Sequence, residues 1–165
     1  MGIALADFDS PGNPVDLIEN IATTHDWAFE RSGEDELTLS IEGGWCEYHM
    51  SLSWRDDLQA LHLACAFDFK PRPARLGEIY RLMAMINEQL WVGHFDLWKE
   101  DGLLLYRHGL PLNGADASTR QCEALLQAAL EACERYYQAF QFVLWAGRDA
   151  DAALQATLFE TQGQA

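Results

Sequence analysis

The stretch that decides the fold runs from residue 37 to residue 67 and reads LTLSIEGGWCEYHMSLSWRDDLQALHLACAF. Apolar residues occupy every second position in three segments of it, which is the pattern of strands with one buried face. A Gly-Gly pair at 43–44 separates the first two segments, and an Arg-Asp-Asp run at 55–57 separates the last two. Both are short turn signals. We therefore predict three consecutive antiparallel strands, preceded by a shorter strand at about 28–31.

The strand at 58–67 is unusual because both of its faces are apolar. One face carries leucine, cysteine and phenylalanine, and the other carries Ala60, His62, Ala64 and Ala66. We expect a helix or another chain to cover this second face. The face is one of two reasons to predict a dimer or a complex.

The turn at 55–57 leaves the register of this hairpin open. If Trp54 pairs with Asp57, Cys46 faces Cys65 across the strands. If Arg55 pairs with Leu58, Cys46 faces Phe67 instead. The chain has four cysteines and no C-x-x-C motif, so we predict reduced thiols packed as small apolar residues and no zinc site.

Helical patterns surround the strands. Asn13-Pro14 is a favoured helix start, and apolar positions continue to about His25. A second helix is predicted over 73–90, with an apolar stripe that includes Ile79, Tyr80, Met83 and Ile86. We expect Ile79, Met83 and Ile86 to be buried against the sheet. Two strands, 91–98 and 103–108, follow as a hairpin with an Asp-Gly turn.

The last long helix is predicted over 118–145, beginning with the capping pair Ser118 and Gln121. At 1.5 Å per residue it spans roughly 42 Å, more than a small sheet should cover. We expect it either to break near Phe140 or to pack partly on a second molecule. A short helix from Asp149 follows.

The predicted order is α-β-β-β-β-α-β-β-α, an α+β fold with a mostly antiparallel sheet and helices packed on one face. A chain of 165 residues is expected to form a single domain, 1–165. We place its core at about 13–147 and expect residues 1–12 and 158–165 to be loose.

The net charge of −15 limits the partners of the protein. Phosphate backbones and anionic lipid surfaces need clustered Lys and Arg, so we predict no nucleic-acid or membrane binding. No apolar run approaches the roughly 18 residues of a membrane helix, and the amino terminus lacks a basic secretory leader. A cytoplasmic location is the expectation.

A search for chemistry finds few candidates. Phosphate-binding glycine loops and a G-x-S-x-G elbow are both missing from the sequence, and we expect no cofactor. His94 and Asp96 share one face of a strand and could bind a metal ion with His62 or His108. Scattered histidines on sheets are more often structural.

The six tryptophans are the remaining signal. Trp45 and Trp98 fall on the more polar face by strict alternation, where exposed aromatic rings would suit contact with a partner. A bulge that reverses the alternation would place them in the core instead.

Three segments resemble the YbjN family of bacterial proteins: Leu-Gly-Glu-Ile-Tyr-Arg at 76–81, Ile-Asn-Glu at 86–88 and Gly-His-Phe-Asp at 93–96. The hairpin that ends in Leu-Tyr-Arg at 105–107 is similar too, and the resemblance covers about residues 13–145. It implies a fold similar to that of type III secretion chaperones, which are small acidic dimers. It also implies a role in regulating sensory transduction, with no catalytic residues to transfer.

Two hypotheses follow. The first, which we favour, is a non-enzymatic, chaperone-like module that binds an apolar segment of another protein, with Trp45 and Trp98 as candidate contacts and a homodimer as the expected assembly. The alternative is a small metal-dependent hydrolase that uses His94 and Asp96.

Overall fold

Six antiparallel strands form one sheet in the order β1-β2-β3-β4-β6-β5. A computed structural model describes residues 12–163, with side chains as far as residue 158. The strands are β1 (Ala28–Arg31), β2 (Glu36–Glu42), β3 (Glu47–Arg55), β4 (Ala60–Ala66), β5 (His94–Trp98) and β6 (Leu103–Pro111). The helices are α1 (Pro14–Thr24), α2 (Leu76–Gln89), α3 (Thr119–Leu144) and α4 (Ala150–Gly163), with a 3-10 turn at Pro73–Arg75 before α2.

The strands form where the apolar alternation predicts them. In β2, β3 and β4 every second side chain is buried, so each strand has one face in the core. The helices lie on this same face, which confirms the α+β class and the predicted order of elements through α3. The predicted strand 91–98 begins later, at His94, and β6 continues three residues further than predicted, to Pro111.

The register of the β3–β4 hairpin differs from both predicted alternatives. Arg55 pairs with Ala60, so residues 56–59 form a four-residue loop and Cys65 faces Met50. Gln59 makes this loop possible by adopting a left-handed backbone with a φ of 50°. Its backbone N–H donates to the carbonyl of Asp56 at 3.2 Å. A longer loop moves the pairing beyond the reach of either expected cysteine contact.

The four cysteines are free thiols. Cys65, Cys122 and Cys133 are buried, as expected for small apolar residues, whereas Cys46 is half-buried. Burial raises the pKa of Cys122 to about 11, so this thiol stays protonated at neutral pH.

The apolar stripe of α2 packs into the core as predicted, with Ile79, Met83 and Ile86 all buried. Two details of the stripe were wrong. Tyr80 is exposed, and Leu82 is buried in its place. The stripe is therefore rotated slightly around the helix axis relative to the sequence prediction.

Helix α3 is continuous over 26 residues and does not break near Phe140, which is fully buried. Its amino end carries the predicted capping box of Ser118 and Gln121. Helices α1, α2 and α4 of the same chain pack against it. The length of the helix therefore requires no second molecule, contrary to the prediction.

Helix α4 extends the core beyond the predicted limit of residue 147, because Ala150 and Ala153 are fully buried. The Glu78 carboxylate accepts a hydrogen bond from the Ala150 backbone N–H at 2.8 Å, and Asp149 accepts one from Ala152 at the same distance. These two acids cap the positive end of α4 and attach it to α2. The predicted loose segment 1–12 lies, up to residue 11, outside the described residues.

Candidate functional site

The face of the sheet opposite the helices is the first candidate surface. In the centre it carries small side chains, and among residues 12–163 no helix lies over it. Ala60, His62 and Ala64 are half-buried and Ala66 is exposed. We expected a helix or another chain to cover this face of β4. The described helices lie on the other side of the sheet, and coverage by another chain stays a prediction.

Arg107 contacts several side chains on the part of this face nearest to β5. Its Nε donates to His62 Nε2 at 3.1 Å, and its guanidinium lies 3.5 Å from a carboxylate oxygen of Asp96. The same guanidinium lies 5.7 Å from the centre of the Trp98 ring, within cation–π range. Leu105 lies between Arg107 and Trp98 on this face and is fully buried. Arg107 thus links His62, Asp96 and Trp98 on this face.

The same contacts argue against the metal hypothesis. One oxygen of Asp96 accepts the backbone N–H of Leu97 at 2.9 Å, and the other faces Arg107. Burial and the neighbouring Arg107 lower the pKa of His62, whose Nε2 lone pair is already used by the arginine. His108 points to the helix side of the sheet, since its pairing partner Leu63 is in the core. Over residues 12–158, no three His, Cys, Asp or Glu side chains are arranged to bind a metal ion.

The outer edge of β5 is occupied by side chains of the same chain. The Asn87 amide donates to the carbonyl of Phe95 at 3.0 Å, and its oxygen accepts the N–H of Phe95 at 2.8 Å. Phe95 and Leu97 are the residues whose backbone groups point away from β6, and the Leu97 N–H is bound by Asp96. Three of these four outward groups are therefore satisfied, which blocks the addition of another strand.

Trp45 and Trp98 do not form one site. Trp45 lies in the β2–β3 turn and its Nε1 donates to the Glu134 carbonyl of α3 at 2.9 Å, so it is on the helix side. Trp98 is on the face of the sheet opposite the helices, which we call the open face, and the Arg107 guanidinium lies over its ring. Both rings are partly exposed, at 44% and 38%. Strict alternation missed the position of Trp45 because this residue belongs to the turn and not to a strand.

A groove of mixed polarity between α3, α4 and the segment before β5 is the second candidate surface. Trp91 is 100% exposed and Val92 is 53% exposed. The groove has a volume of about 450 Å³. Its apolar lining includes Leu90, Trp91, Ala132, Tyr136, Leu154 and Leu158, and its polar lining consists of Gln89, Glu131 and Arg135. Sequence reasoning missed it because Trp91 was assigned to a strand. The run Leu-Trp-Val directly before Gly93 was the available signal.

A groove of about 470 Å³ lies between α1 and α3 and exposes more apolar than polar surface. Ile21, Ile41 and Leu126 lie along it, with Arg120 and Glu123 among its charged neighbours. Trp27 lines this groove and stacks on His25, with ring centres 4.5 Å apart. The large aromatic residue of this groove, Trp27, is thus already packed against the same chain, unlike Trp91.

Comparison with known proteins identifies the family. The YbjN family, described as "Putative bacterial sensory transduction regulator", matches residues 14–142. The chain belongs to the YbjN family. It is similar to the crystal structure of the E. coli protein YbjN, described as "a putative transcription regulator", with a TM-score of 0.55 and 12% identity. That match covers 92% of this chain and 95% of the other.

A weaker likeness is to the "HopA1-SchA Chaperone-Effector Complex", with a TM-score of 0.48 and 14% identity over 71% of this chain and 87% of the other. No curated protein gives a significant match. Over the described residues, no helix is both long and apolar enough to cross a membrane.

Residues that carry the resemblance to the YbjN family have structural roles in this chain. Asn87 and Asp96 satisfy the outer edge of β5. Gly93 has a φ of 68°, and a side chain at this position would collide with Tyr106. These motif residues therefore maintain one edge of the sheet.

Proposed function

We propose that this YbjN-family protein is a non-enzymatic module that binds an apolar segment of a partner protein, in the regulatory role that the family description names. The observation that carries the proposal is Trp91, which is fully exposed beside the groove between α3 and α4. A large aromatic side chain in water forfeits the stabilisation that burial would provide. Tryptophan is also among the residues most enriched in binding hot spots.

The charge of the chain favours a partner over a second copy. Each copy carries −15, so two copies repel one another, whereas a neutral or basic protein is not repelled. The same charge keeps the protein soluble while the groove is exposed. An apolar segment of a less acidic protein is therefore the occupant that we propose.

The homodimer stays a prediction and now rests on less support. Helix α3 is covered within the chain, which leaves only the open face of β4 as a reason to expect a second copy. Partner contacts at Trp45 and Trp98 also stay predictions, as two separate positions on opposite sides of the sheet. A cytoplasmic location remains part of the proposal. Light scattering over a concentration series would decide the assembly.

Photo-cross-linking in the native bacterium tests the proposal. A photoreactive residue at position 91 is expected to capture one defined protein, and the same residue at position 145 is the control. Trp145 is also exposed, at 69%, but does not line the groove.

The captured protein is then purified and its affinity measured. Trp91→Ala should weaken binding by about 30-fold or more, as for a hot-spot tryptophan, whereas Trp145→Ala should not. Equal affinity for wild type and Trp91→Ala, with the fold intact by circular dichroism, would move the site away from this groove.

A further inference from the structure

The β1 edge of the sheet leaves its backbone groups open. The Ser32 N–H donates to the Glu36 carbonyl at 3.1 Å, which sets the phase of the β1–β2 ladder. Hydrogen-bonded and non-hydrogen-bonded pairs alternate along an antiparallel ladder, so the backbone N–H and C=O groups of Ala28 and Glu30 point to β2. Those of Phe29 and Arg31 point outward, away from the sheet. None of these four groups has a hydrogen-bond partner in the described part of the chain.

Side chains at this edge leave it accessible. Phe29 is 38% exposed, and Ala28 and Glu30 are also exposed. The Phe29 ring lies on the helix side of the sheet because its pairing partner, Leu39, is in the core. Ala28 and Glu30 lie on the opposite face. A strand added here would meet an aromatic ring on one face and a carboxylate on the other.

The charge around β1 selects the chemistry of such a strand. Residues 16–36 contain seven Asp and Glu but one Arg and no Lys. Arg31 is not free to bind an anion, because its guanidinium contacts Asp16 at 2.8 Å and Glu19 at 2.9 Å and donates to two backbone carbonyls. The Glu30 carboxylate has no such ion pair among the described residues.

We propose that the β1 edge binds an extended basic segment of a partner protein by strand addition, with alternating apolar and Lys or Arg residues. The backbone groups of Phe29 and Arg31 provide the hydrogen bonds. The apolar residues of the segment contact Phe29, and its basic residues face Glu30. The proposal relies on the protein-binding function above but uses a surface separate from the Trp91 groove.

A synthetic peptide that alternates lysine and valine is the probe, titrated into the ¹⁵N-labelled full-length protein. The expected result is that the largest amide shifts and new protection from hydrogen exchange occur at Phe29 and Arg31. Binding should weaken as the salt concentration rises, since the charges are exposed. A peptide that alternates glutamate and valine is expected not to bind.

A protein variant and a modified peptide test the contribution of the backbone, and the modified peptide leaves the Phe29 ring in place. Phe29→Pro removes an N–H that the fold does not use, and proline is tolerated at such edge positions. This variant should lose about tenfold in affinity, as expected for one or two hydrogen bonds and the lost ring. The modified peptide is a lysine–valine peptide in which every second backbone amide, the set that would face β1, is N-methylated. Its affinity for the wild-type protein should fall to a similar extent.

Several results would overturn the proposal. These are no binding of the lysine–valine peptide to wild type, shifts centred on another surface, or equal binding of the N-methylated peptide. Protection of Phe29 and Arg31 that rises with protein concentration in the absence of peptide would assign the edge to a second copy instead. The wild-type titration remains decisive if Phe29→Pro fails to fold. Because the peptide test does not depend on Trp91, its outcome is distinct from that of the groove experiment.

Discussion

Strands β5 and β1 are the two edge strands of the sheet, but their outward backbone groups differ in whether they are hydrogen-bonded. At β5, Asn87 and Asp96 satisfy three of the four outward backbone groups. At β1 the equivalent groups of Phe29 and Arg31 are open in the described part of the chain. An open edge favours pairing with another chain, and proteins usually protect against it. Protection of one edge alone leaves β1 as the edge whose backbone groups are available to an added strand.

The protected edge is built by Asn87 and Asp96, which lie, with Gly93, in the segments quoted above for the resemblance to YbjN proteins. The open edge lies in the acidic part of the chain, where residues 16–36 carry seven carboxylates. The difference teaches that a recognisable motif can serve to satisfy a sheet edge, so a motif by itself does not locate a binding surface.

Of the changes considered, Gly93→Ala, next to the β5 edge, should lower the free energy of unfolding most. The new methyl group would collide with Tyr106, and the left-handed backbone of residue 93 adds strain. We expect the free energy of unfolding to fall by about 2–5 kcal/mol. Gly102→Ala is the matched control, because Gly102 has a φ of 61° but open space around it. Equal losses in a denaturant titration would show that the Tyr106 contact contributes nothing.

Asn87→Ala should destabilise the fold by about 1–3 kcal/mol, since it leaves the N–H and C=O of Phe95 without their partner. It should also create a second site for the lysine–valine peptide at β5. The exposed Asn20 in α1 provides the control substitution Asn20→Ala. Amide shifts at Phe95 upon peptide addition would reveal the opened edge. If they do not appear in a folded variant, Asn87 does not guard β5.

Arg31→Gln should cost only about 1 kcal/mol, because the carboxylates of Asp16 and Glu19 with which Arg31 forms ion pairs remain partly exposed to water. Loss of this cation should also strengthen binding of the lysine–valine peptide at β1. Chemical denaturation and the peptide titration measure the two effects. Weaker peptide binding in this variant would mean that Arg31 itself holds the partner.

Acidification should change the free energy of unfolding least, and its effect should come from His62 in β4 and His108 in β6, the half of the sheet that contains β5. Burial and Arg107 lower the pKa of His62, and burial lowers that of His108. As the pH falls below about 6.5, the unfolded chain therefore binds these protons before the folded chain does. The free energy of unfolding should then decrease between about pH 7 and pH 5. His62→Gln should reduce this slope, and an unchanged slope would assign the effect to other groups.

Much of the fold was predictable because it follows from periodicity. The alternation in β2–β4 and the stripe of α3 fixed which side chains are buried. The β3–β4 register was not predictable, because it depends on a left-handed Gln59, a residue that carries no turn signal of the Gly or Asn kind.

The candidate sites were harder to predict than the fold. The role of Asn87 depends on a contact between α2 and β5 that only the tertiary structure brings together. The exposure of Trp91 depends on where β5 begins, and the limits of strands are poorly determined by sequence patterns. Trp45 was misplaced for a similar reason, since it lies in a turn where alternation does not apply.

The packing of α1 on α3 has a consequence during synthesis on the ribosome. Helix α1 ends at Thr24, but α3 begins only at Thr119. At about 5–20 residues per second, translation needs about 5–25 s to complete α3 after α1 has been made. Throughout this interval the apolar face of α1, with Val15, Ile18 and Ile21, lacks its final neighbour. Residues 1–57 carry 13 acids and two bases, so the part of the nascent chain that waits longest is also the part whose negative charge most strongly separates neighbouring polypeptides on a polysome.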